Sequence, residues 1–320
     1  MNRIVFLAAG VALFAYLLIR LGPGAVIEML GRIGWGAVPI AIAYAAYQSL
    51  RAVALTASAP ETTALRFRDA MWIRLSGEAI QFLTFTGPFL AEPAKALLLK
   101  GRGLSAVQGF ATTIIEYLSY TITAAILSAA TLWWVLANIA LDGGVRVTVL
   151  VILGVMVGFL VSAAGAIALR VHLLGAILER FSQLPLVRRR LRPDMKAVHH
   201  VEDLLLEVMH DRPGRFGRIL LIESASHMVH ILELYLILRA LELGAGVGTA
   251  VLVEGAAKFV GLAFFFIPGQ VGASEGAHTV IFEVLGLPGV AGFAVPFVRR
   301  IRGVVVAALG LLGMSVLTRR

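Results

Sequence analysis

The sequence predicts an all-α integral membrane protein, with about six transmembrane helices plus two re-entrant helical hairpins arranged as an inverted-topology repeat. Three observations predict it. Of 320 residues, 59% are hydrophobic and 15% charged, and the mean hydropathy of +0.89 lies far outside the range of soluble globular chains. Apolar stretches of roughly 17–25 residues, the length that crosses a bilayer core about 30 Å thick, recur along the chain. Two further apolar stretches are broken in mid-course by Gly and Pro, and the breaks resemble each other.

The second break is the more informative. An apolar helix beginning near Val251 runs through Phe264-Phe265-Phe266-Ile267 into Pro268-Gly269, crosses Gly272, Ser274, Glu275 and Gly276, and resumes toward Leu285. Lipid cannot satisfy freed N–H and C=O groups, so a break at membrane depth faces protein or a polar cavity. Earlier, Phe82-Leu83-Thr84-Phe85-Thr86-Gly87-Pro88 leads in the same way into Ala91-Glu92-Pro93-Ala94-Lys95. Both breaks carry phenylalanines, a glycine turn and then a Glu. Paired interruptions in corresponding halves of a membrane protein mark a transporter's binding site.

Spans are predicted at 3–20, 35–58, 106–138, 147–170, 217–239 and 292–318. The run from Ile4 to Ile19 has the apolar character of a signal peptide, but Arg20 follows directly with no small-x-small cleavage site, so it reads as the first span. Trp35 suits an interfacial belt, and Arg51 is expected to snorkel toward the cytoplasmic face. Arg74 and Glu78, four residues apart, predict a helical ion pair, as do Glu254 and Lys258. Glu92, directly before Pro93, reads as a helix start with proline at the first helical position, its carboxylate offsetting the positive helix end. Glu116 is an ionisable residue deep in an apolar span, which is costly and marks a functional-site hypothesis.

Between 171 and 213 two amphipathic stretches follow, one with an apolar face of Leu173, Leu174, Ile177, Leu178 and Phe181, the other with Val198, Val201, Leu204, Leu205 and Val208. They read as interfacial helices on an anionic inner leaflet. In the next span Glu223, His227, His230 and Glu233 share one broad helical face, a polar stripe turned to the bundle interior or a cavity. One helix cannot supply a closed ligand shell, so neither a metal nor another cofactor is expected. Ser274 reads as a helix cap, His278 as packing against the hairpin, and Arg299, Arg300 and Arg302 enter the last span, where three arginines cannot all face lipid.

The net charge of +9 reports topology before partners. With the loop from Arg170 to Arg218 cytoplasmic, most Lys and Arg fall on that side, and Arg20, Arg32 and Arg146 are those in the opposite loops, as the positive-inside rule expects. Both termini are then cytoplasmic, and nucleic acid is not implied. The sequence is one polytopic domain, 1–320, with repeat units at 35–138 and 217–318 whose hairpins enter from opposite sides. The trailing half-helices point their positive ends at the membrane middle, where an anionic group can be held. No cysteine is present, which excludes disulfides and thiolate chemistry, and no P-loop appears.

The chain resembles the transmembrane region of lysylphosphatidylglycerol synthases and the stand-alone flippase-like proteins related to it, including a closely similar hopanoid-associated branch. The residues that carry this are Pro268-Gly269-Gln270-Val271-Gly272-Ala273-Ser274-Glu275, Gly286-Leu287-Pro288, an arginine at Arg299 or Arg300, and the Gly87 to Lys95 run with Glu116. The chain departs from that pattern at Thr86-Gly87-Pro88, where a Pro-Gly turn is more usual, and at Tyr117, where an arginine often follows the acidic residue. The resemblance implies movement of phospholipid or another amphipathic lipid between leaflets of a bacterial cytoplasmic membrane. The aminoacyl-transferring activity belongs to a soluble domain that this sequence lacks, so a separate lipid-modifying enzyme is the implied partner and the chain is not expected to be an enzyme.

On this reading Glu92, Glu116, Gly269, Gly272, Ser274, Glu275, Arg299 and Arg300 line a path for an anionic lipid headgroup, and Glu223, His227, His230 and Glu233 form a secondary polar stripe. Two alternatives remain open. One is an intramembrane phosphatase on polyprenyl diphosphate lipids, with Ser274, Glu275 and His278 beside an arginine. The other is a secondary transporter of a small solute or ion.

Overall fold

Each apolar stretch folds as a helix whose ends are set by local chemistry. The computed structural model describes residues 16, 19, 23–84, 87–182, 194–263, 267 and 270–318. Among these, every regular element is helical. A short helix α1 (Pro23–Gly31) and a 3₁₀ turn (Gly34–Gly36) precede α2 (Ala37–Ser58), α3 (Phe67–Leu83), α4 (Pro88–Lys100) and α5 (Ala106–Asn138). Then come α6 (Gly143–Ala168), α7 (Leu173–Ser182) and α8 (Met195–Leu206), which continues into a π turn, Glu207–Asp211. The last four are α9 (Pro213–Ala240), α10 (Val247–Ala263), α11 (Ala273–Val284) and α12 (Gly289–Thr318).

Among the described residues, five stretches are long and apolar enough to cross a membrane: Gly34–Ser58, Ala106–Asn138, Gly143–Ala168, Pro213–Ala240 and Gly289–Leu317. They coincide with five of the predicted spans. The remaining one, 3–20, lies outside the described residues except for Tyr16 and Ile19, which are helical.

Helix α5 opens with a reciprocal cap: Ser105 Oγ accepts from Gln108 N at 3.1 Å and Gln108 Oε1 accepts from Ser105 N at 3.0 Å, so two end groups are satisfied together. Pro213 starts α9 where a missing N–H costs nothing. The start of α4 corrects the sequence reading. Pro88 takes the first turn after Gly87, whose φ of 51° places it in the region open to glycine, and Pro93 therefore lies inside the helix. Glu92 is one turn in, not at the cap.

The helices pack crosswise. α2 lies along α9, α3 packs on α12 and α10 on α5, while α4 and α11 fold back on α5 and α12 respectively. Small residues set the close crossings, as expected where lipid offers no hydrophobic drive between helices. At α3–α12, a methyl group placed on Gly310 would meet the Leu75 carbonyl oxygen and Ala79, and Ser76 Oγ donates to the Gly310 carbonyl at 3.0 Å. At α5–α10, Gly255 sits directly on Thr131. The α9 face of Leu234, Ile237 and Leu238 packs with Ala250, Val253, Phe282, Ala294 and Val295 in the largest apolar cluster.

One peripheral element differs from expectation. The apolar face of α8 packs on protein and not on lipid: Val201, Leu205, Val208 and Met209 are buried with Ala111, Ile115 and Ile219. In α6, Met156 is the one buried residue. That helix packs on α5 and the π turn and is otherwise exposed.

Candidate functional site

The packing of α2, α3, α4, α5, α9, α10, α11 and α12 brings their charged residues into one buried network. Glu116, fully buried, is its centre on one side. Arg51 Nε donates to Glu116 Oε1 at 3.0 Å, Lys95 Nζ donates to Oε2 at 2.8 Å, and Arg74 Nη1 lies 3.7 Å from Oε1. Arg51 also reaches Glu223 Oε2 at 3.2 Å, and Lys95 reaches Glu92 Oε2 at 2.8 Å. Arg51 is 2% exposed, so it does not snorkel: two carboxylates and the Tyr120 ring, whose centroid is 3.7 Å from its guanidinium carbon, hold it inside more firmly than the distant interface would.

The second half builds a matching cluster. Arg299 donates to Glu254 at 2.7 Å and lies 3.6 Å from Glu233. Arg302 pairs with Glu233 and stacks over the Tyr44 ring at 3.6 Å. Arg300 pairs with Glu275 at 2.6 Å. Lys258 holds Glu254 at 2.8 Å and donates to His230 Nδ1 at 3.1 Å. The clusters join through aromatic rings: Tyr47 stacks on His230 at 4.7 Å, and the Tyr120 hydroxyl accepts from Lys258 at 3.4 Å. Buried charges of this number persist only when paired and hydrogen-bonded, because the desolvation of each costs several kcal/mol.

Beside the network lies a cavity of about 400 Å³. Its wall takes Arg51, Arg74, Lys258, Arg299 and Arg300 as cations and Glu78, Glu92 and Glu254 as carboxylates, with Tyr117, Tyr120, Thr121, Ser128, Gln270, Ser274 and His278 between them. Glu116, Glu223, Glu233 and Glu275 are not in the wall; each is buried and paired with a cation on the cavity side or beside it. These four carboxylates thus act from behind, and the wall itself holds five cations against three carboxylates.

The eight residues predicted to line a path therefore divide. Glu92, Ser274, Arg299 and Arg300 border the cavity, and both arginines reach it. Glu116 and Glu275 support it from behind. Gly272 is the N-cap of α11 with φ 79°, its N–H donating to Glu275 Oε2 at 2.8 Å. Gly269 lies outside the described residues. Ser274 is not the cap expected of it, because Gly272 and Glu275 already close that helix end.

The stripe on α9 is also split. His230 borders the cavity, whereas Glu223 and Glu233 anchor Arg51 and Arg302, and His227 Nε2 sits 3.0 Å from Thr123 Oγ1 with its ring 4.6 Å from that of Tyr120. The predicted Glu254–Lys258 pair forms at 2.8 Å. Arg74 and Glu78 are 3.7 Å apart, and Glu78 accepts from the Tyr44 hydroxyl at 2.5 Å. Among the described residues no group of three or more His, Asp or Glu is placed to hold a metal ion. The network residues least visible beforehand were Arg51, which also borders the cavity, and Lys95, which does not. Their signal was a cation within a helix that also carried Tyr and Gln, or one turn after a glutamate.

Apolar helices that bury a polar, charge-lined cavity define a multi-pass membrane protein with an internal polar site. The chain belongs to the family of the lysylphosphatidylglycerol synthase TM region, whose model matches residues 4–310. No curated protein and no solved structure matched it.

Proposed function

We propose that this protein is a flippase-like transporter that carries a phospholipid, or another amphipathic lipid with an anionic headgroup, between the leaflets of a bacterial cytoplasmic membrane. The single observation that carries the reading is the cavity wall, which takes five cations against three carboxylates, with Glu116, Glu223 and Glu275 holding Arg51 and Arg300 from behind. A guanidinium presents a planar fork that fits two phosphate oxygens, and such charge-assisted bonds are the strong ones in a water-poor site. Membership of a lipid-associated membrane family fits the same role.

The route is formed by two re-entrant hairpins, α3–α4 and α10–α11, in an inverted repeat of 35–138 and 217–318 linked through 171–213. Several features support this. α4 has 13 residues and α11 has 12, about 18–20 Å of helix, short of a 30 Å core. Each trailing helix starts at a glycine of positive φ, Gly87 or Gly272, and carries a glutamate within its first turns. The leading helix of each hairpin packs on the last helix of the other unit, α3 on α12 and α10 on α5. Sidedness follows the basic loops, with both termini cytoplasmic, and a separate lipid-modifying enzyme supplies the cargo.

The phosphatase alternative receives less support. His278 Nδ1 engages the Ser274 carbonyl oxygen at 2.8 Å, not its hydroxyl, so this ring nitrogen is not placed as the base for the serine. The test of transport is leaflet exchange in proteoliposomes, using fluorescent phospholipids and an impermeant quencher, with wild type and Glu275→Gln side by side. Exchange above empty liposomes that falls in the variant supports the proposal. Exchange no faster than in empty liposomes with wild-type protein overturns it.

A further inference from the structure

An apolar groove of about 170 Å³ adjoins the polar cavity. Its wall comes from Leu118 and Ile122 of α5, Ile167 of α6, and Leu205 and Met209 at the end of α8 and in the π turn. Phe159 of α6 belongs to both walls. On α5 the cavity residues Tyr117 and Thr121 each stand one position before the groove residues Leu118 and Ile122, which is about 100° of helix rotation. One helix thus shows a polar face to the cavity and an adjacent apolar face to the groove, with a single aromatic ring between the two spaces.

From this juxtaposition we infer that the groove is the binding subsite for a fatty acyl chain of the lipid whose headgroup occupies the cavity, with Phe159 dividing headgroup from chain. The inference rests on the transport reading above. An amphipathic molecule is the one class of ligand that uses contiguous polar and apolar spaces at once. Hydrocarbon gains little by moving from lipid tails to an apolar protein wall, since both are equally apolar. The groove therefore sets the position of the chain and adds little to affinity. α6 suits this role, since it packs on α5 and the π turn and has lipid access along the rest of its surface.

The experiment uses the full chain in proteoliposomes containing phosphatidylglycerol with a photoactivatable diazirine near the end of one acyl chain. Adducts are mapped by peptide mass spectrometry, and leaflet exchange is measured in the same vesicles. Adducts at Leu118, Ile122, Leu205 or Met209 are expected to saturate as the probe fraction rises. They should fall several-fold in Ala163→Phe, which fills the groove from lipid-facing α6, and spread to Tyr117 and Thr121 in Phe159→Ala. Adducts confined to the outward residues Val151 and Val155, or a groove yield that rises without saturation and ignores Ala163→Phe, overturn the inference. The two readings fail separately. Exchange without groove adducts refutes the chain subsite alone, whereas saturable groove adducts without exchange refute transport and leave a lipid-binding groove.

Discussion

Replacing Glu116 by Gln removes one negative charge from a side chain that is fully buried and faces three cations, Arg51, Lys95 and Arg74. The amide oxygen still accepts one or two of those donors, but the positive charges are no longer balanced on that side. Breaking a buried pair by removing one partner typically costs about 3–5 kcal/mol. With about 2–4 °C per kcal/mol for domains of 150–250 residues, the apparent melting temperature should fall by roughly 6–20 °C. The assay is thermal aggregation of detergent-purified protein, followed by fluorescence size-exclusion chromatography after heating. Glu275→Gln serves as the contrast, because Glu275 faces a single cation, Arg300, at 2.6 Å and its amide replacement still accepts from the Gly272 N–H; a smaller loss, about 1–3 kcal/mol, is expected. Combining Glu116→Gln with Lys95→Met removes a charge of each sign and should recover part of the loss. If Glu116→Gln melts like wild type, or the double variant is worse by the sum of both singles, the network is not what holds these charges in the membrane.

Other outcomes follow from particular contacts. Gly310→Ala places a methyl group on the Leu75 carbonyl and should destabilise by about 1–3 kcal/mol through overpacking, read as a lower melting temperature; Gly154→Ala, with no neighbour within 4 Å, should be neutral or slightly stabilising. Arg300→Gln should slow leaflet exchange by roughly 10–100-fold if a charged contact of about 1.5–3 kcal/mol to the moving phosphate is lost, and Arg300→Lys should recover only part, since an ammonium lacks the planar fork. Single cysteines at Gly101, exposed in the loop before α5, and Leu141, and at Pro60 and Pro288, should label with an impermeant maleimide from opposite sides within each pair; labelling of either pair from the same side refutes the inverted repeat.

Much of the helical plan was legible because hydrophobic length is a local property. Five spans agree with the helices, and Gly87 and Gly272 mark both helix restarts. Glu92 was misplaced because two prolines compete for the first helical position, and the choice of Pro88 depends on the conformation of Gly87. Arg51 was misread for a different reason. Its partners, Glu116 and Glu223, lie 65 and 172 positions away, so neither helical spacing nor hydropathy connects them. The local pairs, Arg74 with Glu78 and Glu254 with Lys258, were legible from their spacing, but their further partners Tyr44 and Arg299 come from other helices. The interfacial reading of Val201, Leu205 and Val208 failed similarly: an amphipathic pattern states that a face is covered, and α5, not lipid, covers it here.

The proposed function requires lipid to pass through the cavity between the two helix restarts. The chain is free of cysteine, so a single Ser274→Cys substitution puts a thiol in the cavity wall without background labelling. Leaflet exchange in proteoliposomes should be measured before reaction with a bulky methanethiosulfonate reagent, after it, and again after reduction. Exchange should fall to the level of empty liposomes on modification and return when the disulfide is reduced. Exchange that persists with Cys fully modified rules out passage through the cavity and puts the lipid route elsewhere on the protein.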